Sequence, residues 1–274
     1  MGRHLKIGFI GGGTMAEAIL SGLIKKKVAA AKDISVSDVL PARRDYLKKQ
    51  YGVAVTDKNA AVLPRADVVV LAVKPQQLGD VLGGIKGKVA KDQAVLSIVA
   101  GASIAQIAAG LGHKAIVRSM PNTPGQFGVG MTAWTATSQV SEARKTQVKE
   151  VLAALGEEVY VAEEKYIDVA TAISGSGPAY VFLFIEAITD AGVYLGMARD
   201  MAHKLAVQTV LGSGVMAAKA GKSPAALREQ VTSPGGTTAE ALRVLEGGGF
   251  RALMHEAVVA AYQKAIDLRE GSHT

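Results

Sequence analysis

A glycine-rich run near the N-terminus has the spacing of a turn that binds the pyrophosphate of a dinucleotide. It reads Gly11-Gly12-Gly13-Thr14-Met15-Ala16 and follows an apolar run at 5–10. In the G-x-G-x-x-A form of this turn, the first glycine permits the tight bend, the second lets the backbone approach the ligand, and the alanine lets the next helix pack closely. The free N–H groups at the helix start would face the anion. A purely structural turn is the alternative, but we predict dinucleotide binding by Ile10, Gly11, Gly12, Gly13, Thr14 and Met15.

The residues at the end of the next apolar run bear on the choice of dinucleotide. Ser37 and Asp38 stand there, and an acid at this place would accept a hydrogen bond from the adenosine ribose 2′-OH of NAD. Arg43 and Arg44 lie close downstream and could instead accompany the 2′-phosphate of NADP, or could be exposed helix charges. NADH and NADPH therefore both remain open.

Three further segments follow predicted strands, where ligands of open α/β sheets bind. Pro75 should stop one strand and start a helix at its first position. The segments are Ala72-Val73-Lys74-Pro75, Ala100-Gly101 and Met120-Pro121-Asn122-Thr123-Pro124. We predict that these segments line the cofactor through Ala72, Val73, Lys74, Ala100 and Asn122.

Two turns in the second half of the chain could form a substrate site. Ser174-Gly175-Ser176-Gly177-Pro178-Ala179-Tyr180 is predicted to be a tight turn that delivers a helix with Pro178 at its first position, forming a small polar cup. In Ser233-Pro234-Gly235-Gly236-Thr237-Thr238, a flexible turn with a threonine N-cap would start another helix and suit a carboxylate. Plain helix capping is the alternative for both.

Apolar runs of strand length alternate with helical patterns in the first part of the chain. The predicted strands are 5–10, 34–37, 53–55, 67–73, 94–99 and 115–119, and the sheet would be extended by 131–136 and 159–162. Helical spacing appears between them at 16–28, 43–51, 104–111 and 142–155. Such alternation is typical of a parallel sheet covered on both faces. We therefore predict an α/β Rossmann domain over 1–165, with a mostly parallel, doubly wound sheet.

From about residue 167 only helical patterns remain. They cover 179–195, 199–218, 224–230, 238–245 and 251–268, which predicts an all-α dimerisation domain over 166–274. Some of these helices are apolar nearly all round, and roughly one hundred residues cannot easily bury so much apolar surface alone. We expect a dimer or larger assembly through these helices, and an active site in the cleft between the two domains.

The composition excludes several classes of protein. The chain of 274 residues has no cysteine, so disulfide scaffolds, thiolate metal sites and cysteine nucleophiles are excluded. The 5 histidines stand alone, without a partner at metal-ligand spacing, so we expect no metal. The net charge is +7, but the basic residues are scattered and not interleaved with aromatic ones, so we expect no nucleic-acid partner.

We expect a cytoplasmic protein. The lack of cysteine suits a reducing compartment, and the N-terminus has neither the long apolar region nor the cleavage site of a signal peptide. The most apolar window, 169–185, contains Ser, Gly and Pro residues that would expose unsatisfied backbone in lipid. We therefore also expect no membrane span.

Together, these motifs resemble the Δ1-pyrroline-5-carboxylate reductase family over essentially the whole chain. The matching blocks occur in order at 11–16, 72–75, 120–124, 174–180 and 233–238, and the last two discriminate best. The resemblance implies hydride transfer from NADPH or NADH to the C5 imine carbon of 1-pyrroline-5-carboxylate, which yields L-proline in the last step of proline biosynthesis. It also implies dimers through the C-terminal helices, frequently assembled as decamers, that is, pentamers of dimers.

The resemblance also implies roles for individual residues. Asn59 and Ala100 match cofactor positions, as do the glycine turn and the segment 72–74. Glu164, Ser176, Gly235, Gly236, Thr237 and Thr238 match positions at or near the substrate. Thr238 would be the hydroxyl nearest the ring nitrogen, with Ser176 on the substrate side, and these two are the predicted catalytic residues. Family members vary at the position of Asp38, where NADPH users often have a small polar residue.

Two other functions fit parts of the pattern. An imine or β-hydroxyacid reductase of the same two-domain plan usually needs a lysine acid on the first long interdomain helix, where this chain has Glu186 and Asp190. A non-catalytic NAD(P)-binding scaffold would keep the glycine turn but would not need the turn at 233–238. Imine reduction itself needs mainly orientation of two ligands, because the cofactor supplies the hydride.

Overall fold

The computed structural model describes residues 5–271 and contains a single eight-stranded sheet. The strands are β1 (Ile7–Ile10), β2 (Ile34–Ser37), β3 (Ala54–Thr56), β4 (Val68–Leu71), β5 (Ala94–Ser97), β6 (Ile116–Met120), β7 (Gly130–Ala136) and β8 (Gly156–Tyr160). Their order across the sheet is β3-β2-β1-β4-β5-β6-β7-β8. Only the β6–β7 pair is antiparallel, and the other neighbours run parallel. The predicted mostly parallel sheet is confirmed.

The helices follow the predicted alternation and then dominate the C-terminal part. They are α1 (Thr14–Lys25), α2 (Pro41–Tyr51), α3 (Leu78–Ile85), α4 (Ile104–Leu111), α5 (Glu142–Ala153), α6 (Lys165–Ala170), α7 (Gly177–Tyr194), α8 (Arg199–Lys219), α9 (Pro224–Gln230), α10 (Thr237–Gly247) and α11 (Phe250–Glu270). The helix expected at Pro75 begins with a 3₁₀ turn, Pro75–Gln77, and continues as α3. Helix α3 carries glycine at three of its eight positions, which weakens its helical pattern.

The sheet is buried on both faces, and its central strand β4 is apolar at every position. In β4, Val68 and Val70 belong to one buried cluster, whereas Val69 and Leu71 belong to another. Side chains of a strand alternate between the two faces of the sheet, so the two clusters are separate cores. The continuous Val/Leu run of this strand is therefore explained by burial on both faces of the sheet, as predicted from the sequence.

Four local predictions were wrong. The last strand is Gly156–Tyr160 rather than 159–162. The segment 174–180 is no tight turn, because a π-helical stretch, Thr171–Gly175, joins α6 to α7 in one helix, Lys165–Tyr194. Pro178 is accordingly the second residue of α7, not the first. Helix α10 has Gly236 at its N-cap in place of a threonine.

Because residues 165–194 form one continuous helix, the expected irregular backbone that spoke against a membrane span is not present there. Within it, the glycine and proline of 169–185 lie in helical backbone and do not form an irregular segment. By length and composition alone, Lys165–Tyr194 is a candidate membrane span, which for one such helix is weak evidence. Many of its apolar side chains are exposed in the single chain, such as Phe182 and Leu183.

The described chain divides into two compact units. Unit 1 runs to Ser176 and takes in the chain again from Ala261, and unit 2 is Gly177–Ala260. In unit 2, α7 and α8 approach closely, since a Cβ added to Gly192 would lie 2.9 Å from Ala202 Cβ. Many large apolar side chains of this unit are nevertheless exposed, such as Phe182 at 61% and Leu183 at 67%. Unit 2 therefore leaves apolar surface uncovered in the single chain.

Candidate functional site: a dinucleotide cavity in unit 1 and a helix-start turn in unit 2

Gly11 and Gly13 of the turn between β1 and α1 differ in what an added side chain would meet. Gly11 has φ +94, and a Cβ there would lie 2.5 Å from the carbonyl oxygen of Ala72. A side chain would therefore be strained and would clash with the end of β4. Gly13 is the N-cap of α1, and a Cβ there would meet nothing within 4 Å. Its backbone thus faces open space at the helix start, where N–H groups lack intrahelical partners.

A cavity of about 890 Å³ opens beside this turn, at the carboxyl ends of the strands. Ten of the predicted cofactor residues line it: Gly11, Gly13, Thr14, Met15, Ser37, Asp38, Asn59, Ala72, Val73 and Lys74. Sequence reasoning missed the other lining residues, which are Val39, Leu40, Gln77, Asp80, Val81, Ile98, Thr123 and Gln126. Both the size and the place are those of a dinucleotide site in a doubly wound sheet.

Four predicted cofactor residues do not line the cavity. Ile10 is fully buried in a core cluster, and Gly12 packs against Leu47 and Val36. Ala100 follows β5 and is partly buried. The side-chain amide of Asn122 bridges two backbone groups, since its Nδ2 donates to Ser174 O (3.0 Å) and its Oδ1 accepts from Met131 N (2.9 Å). Their cofactor roles stay predictions.

A second cavity, of about 370 Å³, lies at the opposite, amino ends of β1 and β2. Its lining includes the exposed or half-exposed Lys6, Lys32 and Arg65. Its lining residues do not include the glycine turn. Because ligands of such sheets bind at the carboxyl ends, we assign the dinucleotide to the larger cavity.

Hydrogen bonds fix the polar side chains at the end of β2. Ser37 Oγ donates to Asn59 Oδ1 (2.8 Å), which joins two predicted cofactor residues. The carboxylate of Asp38 accepts from Gly12 N (2.8 Å) and from Leu40 N (2.9 Å). Asp38 therefore ties the end of β2 to the glycine turn itself.

Arg43 belongs to a cluster beside the glycine turn. It donates to Gly12 O and to the carboxylate of Glu17, and Tyr46 and Tyr51 also donate to Glu17 Oε1. Burial raises the pKa of Glu17, but the hydrogen bonds from Tyr51, Arg43 and Tyr46 outweigh it and leave that pKa below its usual value. Glu17 is thus an anion at neutral pH that holds Arg43 in place.

Glu164, a predicted substrate residue, is the partly exposed end of an ionic network in unit 1 whose centre, Arg118 and Asp168, is buried. Its Oε1 accepts from Arg118 Nη1 (2.9 Å) and from Ile104 N (2.8 Å). Arg118 also donates to Asp168 Oδ1 (2.7 Å), and Arg269 donates to Asp168 Oδ2 (2.6 Å). Sequence reasoning missed this network, although an arginine inside the apolar strand β6 was a visible signal.

Ser176 closes the π-helical stretch that follows α6. Its N–H donates to Thr171 O (2.8 Å), which is the i→i+5 bond of a π-helix. Ser174 Oγ donates to Ala170 O (3.0 Å), so this hydroxyl satisfies helix backbone. Such π stretches are frequent at functional sites, which gives the predicted role of Ser176 a structural context.

The turn at 233–238 belongs to unit 2. Gly235 has φ +68, and a Cβ on Gly236 would lie 2.3 Å from Ser233 Oγ, so both positions favour glycine. Thr237 and Thr238 are the first two residues of α10, and Thr238 is the more buried of the two. Helix α10 therefore starts with two hydroxyls and with N–H groups that have no intrahelical partner.

Within 5–271, no group of three or more His, Cys, Asp and Glu side chains is arranged to hold a metal ion. His113 is buried, with Nε2 2.9 Å from Gln93 O. His4 and His273 lie outside the described residues.

Two family models match the chain. A model described as pyrroline-5-carboxylate reductase dimerisation matches residues 164–268. A model described as NADP oxidoreductase, coenzyme F420-dependent, matches residues 6–101. The first match covers α6 to nearly the end of α11, and the second covers the glycine turn and the strands around it.

Known proteins and solved structures match over nearly the full length. A pyrroline-5-carboxylate reductase of Synechocystis sp. is 46% identical, covering 96% of this chain and 98% of the relative. That of Escherichia coli is 42% identical, with the same two coverages of 96% and 98%. A pyrroline-5-carboxylate reductase structure from Coxiella burnetii has a TM-score of 0.92 at 39% identity, covering 97% of this chain and 99% of that one. A Plasmodium falciparum pyrroline carboxylate reductase, solved with NADP bound, has a TM-score of 0.87 at 32% identity and covers 98% and 100%.

Proposed function

Because this chain belongs to the pyrroline-5-carboxylate reductase family, we propose that it reduces the C5 imine of 1-pyrroline-5-carboxylate to L-proline with NADPH or NADH, the final step of proline biosynthesis. The observation that carries the proposal is 46% identity to such a reductase over 96% of the chain. The glycine turn and its cavity in unit 1 support the proposed use of a dinucleotide cofactor.

The cavity fits a nicotinamide dinucleotide. At Gly13 a side chain would project into open space, so the bare backbone and the start of α1 can meet a pyrophosphate. Gly11, Thr14 and Met15 would hold the same part of the ligand, and Ala72, Val73 and Lys74 would line the cavity at the end of β4. When bound, NADPH or NADH supplies the hydride.

The residues of the α10 turn would position the substrate. We assign the substrate carboxylate to the backbone of Gly235, Gly236 and Thr237, because the start of an eleven-residue helix favours an anion. Thr238 would accept a hydrogen bond from the protonated ring nitrogen. Hydride addition to C5 moves the π electrons of the C=N bond onto nitrogen, and the N–H proton stays there, so no protein base is needed.

Glu164 and Ser176 are the other predicted substrate residues, and both belong to unit 1. Glu164 is 30% exposed, although one of its oxygens is held by Arg118. Ser176 lies at the end of the π stretch, partly exposed. We assign both to the surroundings of the substrate, with Ser176 as the second catalytic residue.

The domain roles follow from this assignment. Residues 1–165 would act as the dinucleotide-binding domain, and residues 166–274 as the domain for substrate and oligomerisation. The dimerisation model at 164–268 and the exposed apolar side chains of unit 2 support self-association. We propose a dimer assembled further into a pentamer of dimers, which sedimentation analysis can test.

We also propose a cytoplasmic protein without a membrane span. The apolar stretch Lys165–Tyr194 falls inside the region matched by the dimerisation model, so a second copy is the partner we assign to it in place of lipid. Fractionation in which the protein sediments with the membranes, and is released from them only by detergent, would contradict this.

The activity is tested by the loss of NAD(P)H absorbance with 1-pyrroline-5-carboxylate. We expect turnover with at least one of the two cofactors and proline as the product, identified by mass spectrometry. A preparation that is folded and binds cofactor, but turns over 1-pyrroline-5-carboxylate with neither NADH nor NADPH, would reject the proposed function.

A further inference from the structure

We propose that this chain selects NADH over NADPH, because the carboxylate of Asp38 is fixed at the cavity while Arg43 and Arg44 are committed to protein acceptors beside it. The inference rests on the proposed function only in that the cavity takes a nicotinamide dinucleotide. It names Asp38 as the residue that determines specificity.

The carboxylate of Asp38 is held in one orientation. Its two oxygens accept from Gly12 N (2.8 Å) and Leu40 N (2.9 Å), and its own N–H donates to Thr56 O (3.1 Å). An ionised carboxylate offers about four acceptor positions and no donor. Two positions are used by the backbone, so the others remain for ribose hydroxyls, which can donate.

A 2′-phosphate cannot make the same contact. It carries negative charge and only acceptors at neutral pH, so it would meet Asp38 with like-charge repulsion and without a hydrogen bond. The dinucleotide rule for such sheets associates an acid at the end of this strand with the free ribose of NAD. The observed position of Asp38, in the cavity lining and bonded to the glycine turn, meets that requirement.

Arg43 is not available to neutralise a phosphate. Its Nε donates to Gly12 O, its Nη2 to the carboxylate of Glu17, and its guanidinium lies 5.1 Å from the centroid of the Tyr46 ring. Glu17 is itself held by Tyr51 Oη at 2.7 Å and Tyr46 Oη at 2.9 Å. Arg43 therefore has an anionic partner and a fixed geometry, and it does not line the cavity.

Arg44 is turned toward the backbone. Its Nη1 donates to Asp38 O (2.8 Å) and to Val39 O (3.1 Å), and Arg44 is likewise outside the cavity lining. The charged residues that do line the cavity are Asp38, Asp80 and Lys74. Acidic groups therefore outnumber basic ones, whereas an NADPH site needs a cation near the 2′-phosphate.

The test compares binding of NADH and NADPH to the full-length protein by calorimetry, without substrate, and then kcat/KM with each. We expect NADH to bind at least ten-fold more tightly. In Asp38→Ser we expect NADH affinity to fall about ten-fold and NADPH affinity to rise. Asp38→Asn keeps the shape and an acceptor oxygen, so it serves where Asp38→Ser does not fold. The control is Asp92→Asn, an acid whose side chain is 78% exposed and which does not line the cavity.

The outcomes separate this inference from the proposed function. Equal or tighter binding of NADPH by the unmodified protein overturns the inference, even when 1-pyrroline-5-carboxylate is turned over. An Arg44→Ala variant that selectively loses NADPH affinity also overturns it. A clear preference for NADH without turnover supports the inference and rejects the proposed function, and binding of neither cofactor overturns both.

Discussion

Arg118 and Asp168 form an ion pair of 2.7 Å inside unit 1, and their side chains are only 4% and 1% exposed. Arg118 comes from β6 and Asp168 from α6, so the pair joins the sheet to the helix that leads to Ser176. Arg269 of α11 binds the other oxygen of Asp168. The buried carboxylate of Asp168 thus links β6, α6 and α11, which are distant in the chain.

Removal of either partner should destabilise unit 1 strongly. Each substitution takes one of two ionic partners from a buried charge, because Arg118 keeps Glu164 in Asp168→Asn and Asp168 keeps Arg269 in Arg118→Met. The cost should therefore be at most the roughly 3–5 kcal/mol of a fully broken buried pair. Urea unfolding at fixed protein concentration measures this. The control is Glu246→Gln, which breaks the exposed Arg251–Glu246 pair and should change stability little. Equal effects at the two places would show that Asp168 contributes no more than a surface charge.

Gly13→Glu should abolish cofactor binding without unfolding the protein. The added side chain meets no atom within 4 Å of its Cβ, so the fold tolerates it, but it fills the space assigned to the pyrophosphate with a like charge. Calorimetry with NADH and with NADPH gives the result. Gly83→Glu on α3 is a matched control, because its Cβ also meets nothing within 4 Å and it does not line the cavity. Cofactor affinity retained in Gly13→Glu would remove the glycine turn from the cofactor site.

Thr238→Ala should lower kcat with 1-pyrroline-5-carboxylate by about a hundred-fold or more, the usual effect of losing one positioned hydrogen-bonding group. Cofactor affinity should not change. Thr238→Ser keeps the hydroxyl and should restore most of the rate. As a control, Thr146→Ala removes a hydroxyl that only bonds Glu142 O on α5. An unchanged kcat/KM in Thr238→Ala would end its catalytic assignment.

The stabilisation of the fold by ionised Glu17, which binds Arg43, Tyr46 and Tyr51, should decrease at low pH. Its folded-state pKa lies below the usual 4.5, so its ionised form stabilises the fold fully above that value, and this stabilisation is lost as the pH falls through the folded-state pKa. Glu17→Gln should therefore lower the melting temperature at pH 7, and the difference from the unmodified protein should shrink below pH 4.5. A difference that is constant from pH 7 to pH 3 would contradict this account.

A charged residue introduced on the exposed apolar surface of unit 2 should weaken the self-association of the protein. Leu183 is 67% exposed in the single chain, and the dimerisation model covers it. Leu183→Glu should shift the protein toward monomer in analytical ultracentrifugation, because burial of a charge in an apolar interface is unfavourable. Lys222→Glu changes charge at an exposed polar position of the same unit and should leave the assembly intact. An unaltered oligomer in Leu183→Glu would place the interface elsewhere.

The sequence by itself determined the features that depend on neighbouring residues. The glycine turn, the apolar strands and the bounds of α4 and α9 were readable because turns and helices are set by residues a few positions apart. The fold class followed from the order of these elements. The place of the cavity beside the glycine turn followed as well, since carboxyl ends of parallel strands meet at one edge of the sheet.

Only the tertiary structure decided which charged groups meet. Arg118 and Asp168 are 50 positions apart, and Asp168 and Arg269 are 101 apart, so no local pattern predicts these pairs. The same holds for Arg43, which the sequence left free to bind a phosphate and the structure ties to Glu17, 26 positions away. The partner of a buried or half-buried charge is chosen by packing in three dimensions, because leaving such a charge unpaired costs more than any local preference provides.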